Sequence, residues 1–218
     1  PIMMMQGMFE FSDLELISHY QLQPVVHNVE QLEMLSKARL NSPIHVHLKI
    51  NTGMNRLGFD VHQLEALANL LQTHASQIKV ASIFSHLAAS ESADFDAFTK
   101  EQIARFESMS SFILQHCPYP VLRHILNSGG IVRHPEAVYD MVRLGIGLYG
   151  SDSSNTIQNE LEVVSTLKST ILQIKEISPN DTVGYSRKGQ LKTGSKIATI
   201  GLGYADGLHR KLGNGVGK

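Results

Sequence analysis

Cysteine is almost absent from the chain: Cys117 is the only one in 218 residues. No internal disulfide can form, and a reducing compartment is the simplest reading. Charge of either sign is nearly balanced, at a formal net of −1. That leaves no electrostatic reason to expect nucleic acid or an anionic membrane as a partner. No apolar run approaches the roughly 20 residues a membrane span needs. The opening "PIMMM" has neither a basic segment nor the apolar core of a signal peptide. These absences together make a cytoplasmic protein the expectation. Eleven histidines are scattered with no pair at metal-site spacing from acids or cysteines, so no metal is expected. Low-complexity segments and repeats beyond a strand–helix alternation are lacking as well. What is there is ordinary: 42 % apolar residues, enough for one large domain or two small ones with a real core. "PIMMM" begins on proline and reads as a strand, as if the chain opened in the middle of a fold.

Short apolar runs alternate with longer segments of helical period. "PIMMM" leads to "SDLELISHY", "QPVVH" to "NVEQLEMLSKA", "HVHLKI" to "DVHQLEALANLLQTHA". In the last of these, Leu64, Leu67 and Leu71 share a helix face. "KVASIFSHL" leads to "FTKEQIARFESMSSFILQHC", with Ile103, Phe106 and Ile113 at helical spacing, and "VLRHILN" to the short "GGIVRHPEA". "MVRLGIGLY" closes the series as a further strand. Asn28 and Asp60 are placed to cap helices, each with a glutamine three residues on, Gln31 and Gln63. Strand–helix units with short connections imply a parallel sheet with helical crossovers. About six strands fall in the first 150 residues or so, which suits an open doubly wound sheet or part of an eight-stranded barrel. After "SDSSNTIQ" the helical period disappears. "EVVSTLKSTILQIKEI", "TVGYSRKG" and "SKIATIGLGY" read as strands, and the chain ends on "GNGVGK" with no closing element. The expected division is a strand–helix domain over 1–152 and an all-β domain over 153–218.

The stretch "RLGIGLYG" carries Gly145, Gly147 and Gly150 in the order G-x-G-x-x-G. A dinucleotide site would need a helix opening at those glycines. A polar loop and a strand-like run follow instead, so the glycines need another explanation. In barrels, chemistry sits at the C-terminal ends of the strands, and the late loops often hold a phosphate. Lys49, His86, Asn127, Ser128 and Arg143 all stand at or just beyond strand ends. Singly, each reads more simply as a solvated loop residue or a cap. Jointly they make an active-site rim the better reading.

Longer words are more specific than any spacing. "HLKINTGMNRLGF" (47–59), "SHLAASE" (85–91), "NSGG" (127–130), "RLGIGLYG" (143–150) and "IGLGYADGLHR" (200–210) occur in one order. In this the chain closely resembles the bacterial alanine racemases, along its whole length. The resemblance implies a TIM-type (β/α)8 barrel followed by an all-β C-terminal domain, both incomplete here, with barrel strands three to eight visible. It implies pyridoxal 5'-phosphate as cofactor, L- and D-alanine as substrates in the supply of D-alanine to the peptidoglycan wall, and a homodimer that shares its active sites between subunits. The family's Schiff-base lysine ends the first barrel strand. Lys49 belongs to a different motif, so this chain reads as a central slice that is inactive by itself.

The same resemblance assigns roles. Gly145 and Ile146 would bind the cofactor phosphate through their N–H groups, helped by Ser128; glycine lets a backbone approach an anion, and successive amides form a nest. The G-x-G-x-x-G match is then a coincidence. Racemisation needs an electron sink, supplied by the cofactor, and bases on both faces of the α-carbon. The family lysine serves one face. Tyr185, from the partner subunit's β-domain, would serve the other; a phenol titrates near 10, so it needs cationic or hydrogen-bonding help. His86 would contact that tyrosine and lie near the cofactor ring. Arg143 would donate to the pyridine nitrogen and leave it unprotonated. Arg56 would hold the substrate carboxylate, and Lys49 matches a position carbamylated in many members, where the new charge orients that arginine. Glu91, Tyr204 and Arg210 match positions lining the substrate entrance.

Three departures from the family pattern stand out. Asn51 replaces the more usual aspartate, Leu144 the proline before Gly145, and Gly129 the alanine after Ser128. Asn51 changes the charge beside Lys49 and so bears on carbamylation there. Two other readings stay open at this level. A racemase for serine or another small amino acid differs in pocket residues, and a noncatalytic cofactor-binding barrel is opposed by the β-domain words "VGYSRKG" and "GYADG".

Overall fold

The computed structural model describes residues 1–8, 10–37, 42–178, 181–190 and 195–213. Most of the closing "GNGVGK" lies outside them. The chain divides into two compact units, Pro1–Val164 and Ser165–Lys218.

The first unit runs β1 (Ile2–Met4), α1 (Asp13–His19), β2 (Leu22–Val26), α2 (Val29–Ser36), β3 (Ile44–Lys49), α3 (Leu64–Thr73), β4 (Ile78–Phe84), α4 (Asp96–Leu114), β5 (Leu122–His124) and α5 (Ser128–Arg133). Its caps follow from local chemistry. Asn28 Oδ1 accepts from the Gln31 N–H (2.8 Å) while Gln31 Oε1 accepts from the His27 N–H (3.0 Å). The Asp60 N–H donates to Gln63 Oε1 (2.9 Å) where a 3₁₀ turn leads into α3. Each exchange satisfies an amide that the helix start leaves open.

All four strand pairings are parallel and the sheet order is β1-β2-β3-β4-β5. A doubly wound sheet reverses its strand order at a switch point. A monotonic order is the wall of a barrel. Leu64, Leu67 and Leu71 are buried on α3, and Phe106, Met109 and Ile113 on α4, in one core with Val46, Leu48, Val80 and Ile83 of the strands. Burying each such side chain stabilises by roughly 1.5–3 kcal/mol; Ile103 is only half-buried.

The sixth strand expected at "MVRLGIGLY" does not form a ladder. The Asp140 N–H donates to the Arg123 carbonyl and the Arg143 N–H to the Leu126 carbonyl, each at 3.0 Å. Those two bonds keep one offset, so the segment lies parallel beside β5 in barrel order. It then breaks into a 3₁₀ turn, Ile146–Tyr149, ended by Gly150 at φ +77°. A Cβ at Gly150 would strike the Glu162 carbonyl. The glycines that end the strand pattern also end the strand.

In the second unit β6 (Ile171–Glu176) pairs antiparallel with β9 (Lys196–Ile200), and β7 (Thr182–Val183) with β8 (Gly189–Gln190). Two expectations are corrected here. "EVVSTLKSTILQIKEI" is a strand only over its β6 residues. "TVGYSRKG" is not one strand but a tight hairpin, with a 3₁₀ turn over Tyr185–Arg187 at its tip. Gly184, Ser186 and Arg187 all have positive φ, which no extended strand accommodates.

Candidate active site

Alternation along the parallel strands builds the interior face. His47 and Lys49 lie two apart on β3, and Ser82 and Phe84 two apart on β4. Despite a bulge between Val46 and His47, the register pairs His47 with Ser82 and Lys49 with Phe84, and Phe84 with His124 of β5. Barrel interiors are usually filled by branched aliphatic side chains. Here much of the layer is polar.

Those polar groups form one chain of hydrogen bonds ending on Arg143. The Arg143 Nη1 binds His124 Nδ1. His124 Nε2 lies 3.0 Å from Ser82 Oγ, Ser82 Oγ 2.6 Å from His47 Nδ1, and His47 Nε2 3.0 Å from Gln23 Oε1 of β2. A guanidinium only donates, so His124 Nδ1 accepts and its proton sits on Nε2. That N–H donates to Ser82, whose single hydrogen goes to His47 Nδ1, whose Nε2–H goes to Gln23. One assignment satisfies every member, with both imidazoles neutral. Burial, with Arg143 facing it, pushes His124 down to about 3; burial with His45 nearby pushes His47 down to about 4.

Arg143 makes four further bonds, all to neutral acceptors: Nη2 donates to the Ser85 carbonyl (2.5 Å), the Ile125 carbonyl (3.2 Å) and His86 Nδ1 (3.3 Å), and Nη1 to the His124 carbonyl (3.4 Å). Among the described residues its Nε–H has no partner. Burial lowers its pKa to about 10, so the guanidinium remains protonated at neutral pH. Its planar group and Lys49 Nζ share the Phe84 ring, at 5.1 and 5.8 Å from the centroid. Phe84 in turn stacks on His124 at 5.0 Å.

Lys49 is 6 % exposed. Burial first, then the Arg56 and Arg143 charges, hold its ammonium below the usual lysine range. Burial and the facing Arg143, Arg56 and Lys49 push His86 down to about 4. His27, at the end of β2, is lowered by burial and by Lys49. Among the described residues no carboxylate pairs with Lys49, His86, Arg56 or Arg143. Lys49 and Arg143, largely withdrawn from water, with the exposed Arg56 near them and no counter-ion among the described residues, leave a local positive field that suits an anion.

The second half of the site is a backbone cup. Ser128 starts α5, whose cap Asn127 accepts from the Gly130 N–H (3.0 Å). Ser128 Oγ accepts from both the Gly145 N–H (2.9 Å) and the Gly147 N–H (3.2 Å). Among the described residues the Ile146 N–H between them has no partner. Two amides converging on one hydroxyl, with a third open beside them, suit the oxygens of a phosphate. Gly147, to which the sequence analysis assigns no role, contributes an amide to this cup. Gly129 is where Glu91 comes close: a Cβ there would lie 3.2–3.3 Å from Glu91 N, Cα and Cβ. The alanine usual in the family would push the Glu91 loop outward. Nothing in the structure explains Leu144 in place of proline.

The first unit therefore brings together Lys49, His86 and Arg143, with Arg56 near enough to act on them by charge, and places Ser128, Gly145 and Ile146 in a separate cup. Glu91 is exposed beside Gly129. Tyr185, Tyr204 and Arg210 belong to the second unit. Tyr185 is 98 % exposed at its hairpin tip and Tyr204 is 69 % exposed in a 3₁₀ turn. Sequence reasoning missed Gln23, His47, Ser82 and His124. The signal was the H-x-H-x-K alternation in "HVHLK", which aims His47 and Lys49 to one face. Among the described residues no three His, Cys, Asp or Glu side chains group as metal ligands, and no helix is long and apolar enough to cross a membrane.

Comparison with known proteins gives a consistent result. Residues 1–153 match the family described as alanine racemase, N-terminal domain, and residues 164–218 the alanine racemase, C-terminal domain. The alanine racemase of Coxiella burnetii (strain CbuK_Q154) is 34 % identical over 224 residues, covering 99 % of this chain and 60 % of that protein. That of Pseudomonas taetrolens is 35 % identical over 224 residues, covering 99 % and 59 %. Among solved structures, the biosynthetic alanine racemase from Pseudomonas aeruginosa superposes with a TM-score of 0.80 at 29 % identity, covering 97 % of this chain and 57 % of that one. The Bartonella henselae alanine racemase, solved with covalently bound pyridoxal phosphate, gives 0.76 at 28 % identity over 97 % and 57 %. The chain spans about 60 % of the length of these curated relatives.

Proposed function

The chain belongs to the alanine racemase family, and from that premise we propose that the intact protein interconverts L- and D-alanine with pyridoxal 5'-phosphate. The observation that carries this reading is the pairing of two features at the strand ends: a cluster of Lys49, His86 and Arg143 with no counter-ion among the described residues, and the amide cup at Ser128. The residues fit the cofactor. The Gly145 and Ile146 amides and the Ser128 hydroxyl would hold its phosphate, and the Arg143 Nε–H would face its ring nitrogen. When bound, the cofactor supplies the electron sink that acidifies the α-hydrogen of the amino acid. Because Arg143 keeps its proton at neutral pH, it would donate a hydrogen bond to the ring nitrogen of the bound cofactor without protonating it.

His86 accepts from Arg143 at Nδ1, so its own proton sits on Nε2 and is available to hydrogen-bond a phenol oxygen. Tyr185 would supply that phenol as the base on one face of the α-carbon, in the site of a second copy of the chain. Its near-complete exposure at a hairpin tip supports this. Arg56 would bind the substrate carboxylate. Lys49 with a depressed pKa presents more of its neutral amine, the form that attacks CO2 and releases a proton to give a carbamate; the resulting anion would lie among Arg56, Arg143 and His86. Glu91, Tyr204 and Arg210 would line the entrance, and the D-alanine formed would serve peptidoglycan synthesis in the cytoplasm.

The test is α-proton exchange in the intact protein. Tyr185→Phe should suppress deuterium exchange from one enantiomer of alanine, L-alanine, by roughly 10²–10⁴-fold while sparing exchange from D-alanine. Small and equal losses for both enantiomers, or no racemisation in the parent protein, would reject the reading.

A further inference from the structure

Gln102 is wholly buried on α4, a helix that contributes no group to the site. Its amide is used in full. Nε2 donates to the His86 carbonyl (3.1 Å) and to Thr52 Oγ1 (3.3 Å), and Oε1 accepts from the Ala88 N–H (2.9 Å). The opposite amide orientation would set two donors against each other at Ala88, so only this one serves. Thr52 Oγ1 lies 2.8 Å from Ser85 Oγ, which donates to the Ile50 carbonyl at 2.8 Å. The Ser85 hydrogen is thus committed, and Thr52 must be the donor between them. The bonds run one way, from Gln102 through Thr52 and Ser85 to the backbone at the end of β3. Ser85 also lends its carbonyl to Arg143.

Packing reinforces this arrangement. Gly53 sits at φ +139°, and a Cβ there would lie 3.1 Å from Phe98 Cζ and 3.4 Å from Gln102 Cγ. The loop that carries Arg56 therefore rests directly on α4. One buried amide joins the segment bearing Lys49 and Arg56, the segment bearing His86, and the carbonyl that holds Arg143.

We propose that Gln102 is a positioning residue: its amide sets the separation between the Lys49–Arg56 segment and His86. The catalytic consequence rests on the racemase reading above; the geometric claim does not. Losing the clamp lets the His86 loop open to water and move away from the Arg143, Arg56 and Lys49 charges that face it, relieving both the burial and the repulsion that hold its pKa down. His86 should then titrate closer to an ordinary histidine.

The experiment follows the His86 imidazole by NMR titration in the cofactor-free intact protein. Gln102→Met keeps the volume and removes the hydrogen bonds. Thr52→Val, a milder change, breaks the next link and serves if the first variant does not fold. Each should raise the His86 titration by about one pH unit, and the double variant no further than Gln102→Met alone. Met109→Ala, a core truncation on the same helix, should leave that titration unmoved while lowering stability. With cofactor restored, kcat for alanine should fall on the order of 10²-fold with KM changed far less. An unmoved His86 in a folded Gln102→Met or Thr52→Val variant, or an equal shift in Met109→Ala, would overturn the proposal. If the parent protein fails to racemise alanine, the preceding reading falls and the titration still decides the clamp.

Discussion

At the scale of single residues, the unusual element is Arg143, a mostly buried cation with no counter-charge among the described residues. Carbonyls and neutral imidazoles solvate it, and Ser82 is the hinge of that arrangement because its one hydrogen decides the polarity of the chain. Ser82→Ala removes both the acceptor of the His124 Nε2–H and the donor to His47 Nδ1. Both groups are then stranded where water does not reach, since His124 is fully buried and His47 nearly so. Each unsatisfied buried polar group costs about 1–3 kcal/mol. Urea unfolding of the intact protein should therefore show Ser82→Ala to be less stable by at least one such increment. A loss within measurement error would mean that the hydroxyl is not the link between the two imidazoles.

At the scale of elements, the loop from Asn51 to Phe59 is folded by its own first residue. Asn51 Oδ1 accepts from the Gly53 and Asn55 N–H groups (3.1 and 3.0 Å), and Nδ2 donates to Asn55 Oδ1 and Asp60 Oδ1, both at 2.8 Å. The ends are stitched to the sheet: the Phe59 N–H donates to the Lys49 carbonyl and the Asn51 N–H to the Phe59 carbonyl, each at 2.9 Å. Gly58 closes the loop at φ +126°, where a Cβ would lie 2.8 Å from Asn51 N and Ile50 C. The asparagine that departs from the family pattern is thus matched to its surroundings. Asn51→Asp would set a second carboxylate against Asp60 and lose both donors. We expect this change to cost about 1–3 kcal/mol and, in the intact protein, to raise KM for alanine by a larger factor than it lowers kcat, because Arg56 rides on this loop. Thermal unfolding and steady-state kinetics at pH 7 check both parts; a variant as stable as the parent with unchanged KM would contradict them.

At the scale of the whole molecule, the buried imidazoles make stability depend on pH. His47 and His124 titrate near 4 and 3 in the folded protein, against about 6.5 in an unfolded chain. Between those values the unfolded chain binds more protons than the folded one, so stability rises with pH there. It is fully present above about 6.5 and lost as pH falls toward 4, by up to about 1.4 kcal/mol per pH unit for each histidine. The carboxylates Asp96 and Glu107, paired with Arg133 and Arg123, and Asp152, hydrogen-bonded by Ser154 and Ile157, are held below their usual range and lose their contribution only at lower pH. Urea midpoints of the intact protein should therefore already decline between pH 6.5 and 4.5, and His47→Gln should flatten that decline. A flat profile across this window would show that the imidazoles are not held neutral.

Local order was legible in the sequence because it depends on neighbours in the chain. The Asn28–Gln31 and Asp60–Gln63 exchanges span three residues, the leucines of α3 repeat at helical period, and the quoted words identify the family and the strand-end residues Lys49, His86, Ser128 and Arg143. The strands expected at "MVRLGIGLY" and over the whole of "TVGYSRKG" do not form, for a local reason too: a glycine-bounded 3₁₀ turn in the first and positive φ at Gly184, Ser186 and Arg187 in the second outweigh the apolar pattern. What joins the site together could not be read this way. The bonds from His47 to Ser82 and from Ser82 to His124 cross 35 and 42 residues, and Gln102 reaches Thr52 across 50. Alternation put His47 and Lys49 on one face, but only the sequential parallel order of the sheet set them against Ser82 and Phe84. The histidine tautomers, the neutral surroundings of Arg143 and the burial of Lys49 were decided there, because a buried polar group takes its protonation from whichever donors and acceptors packing brings within reach.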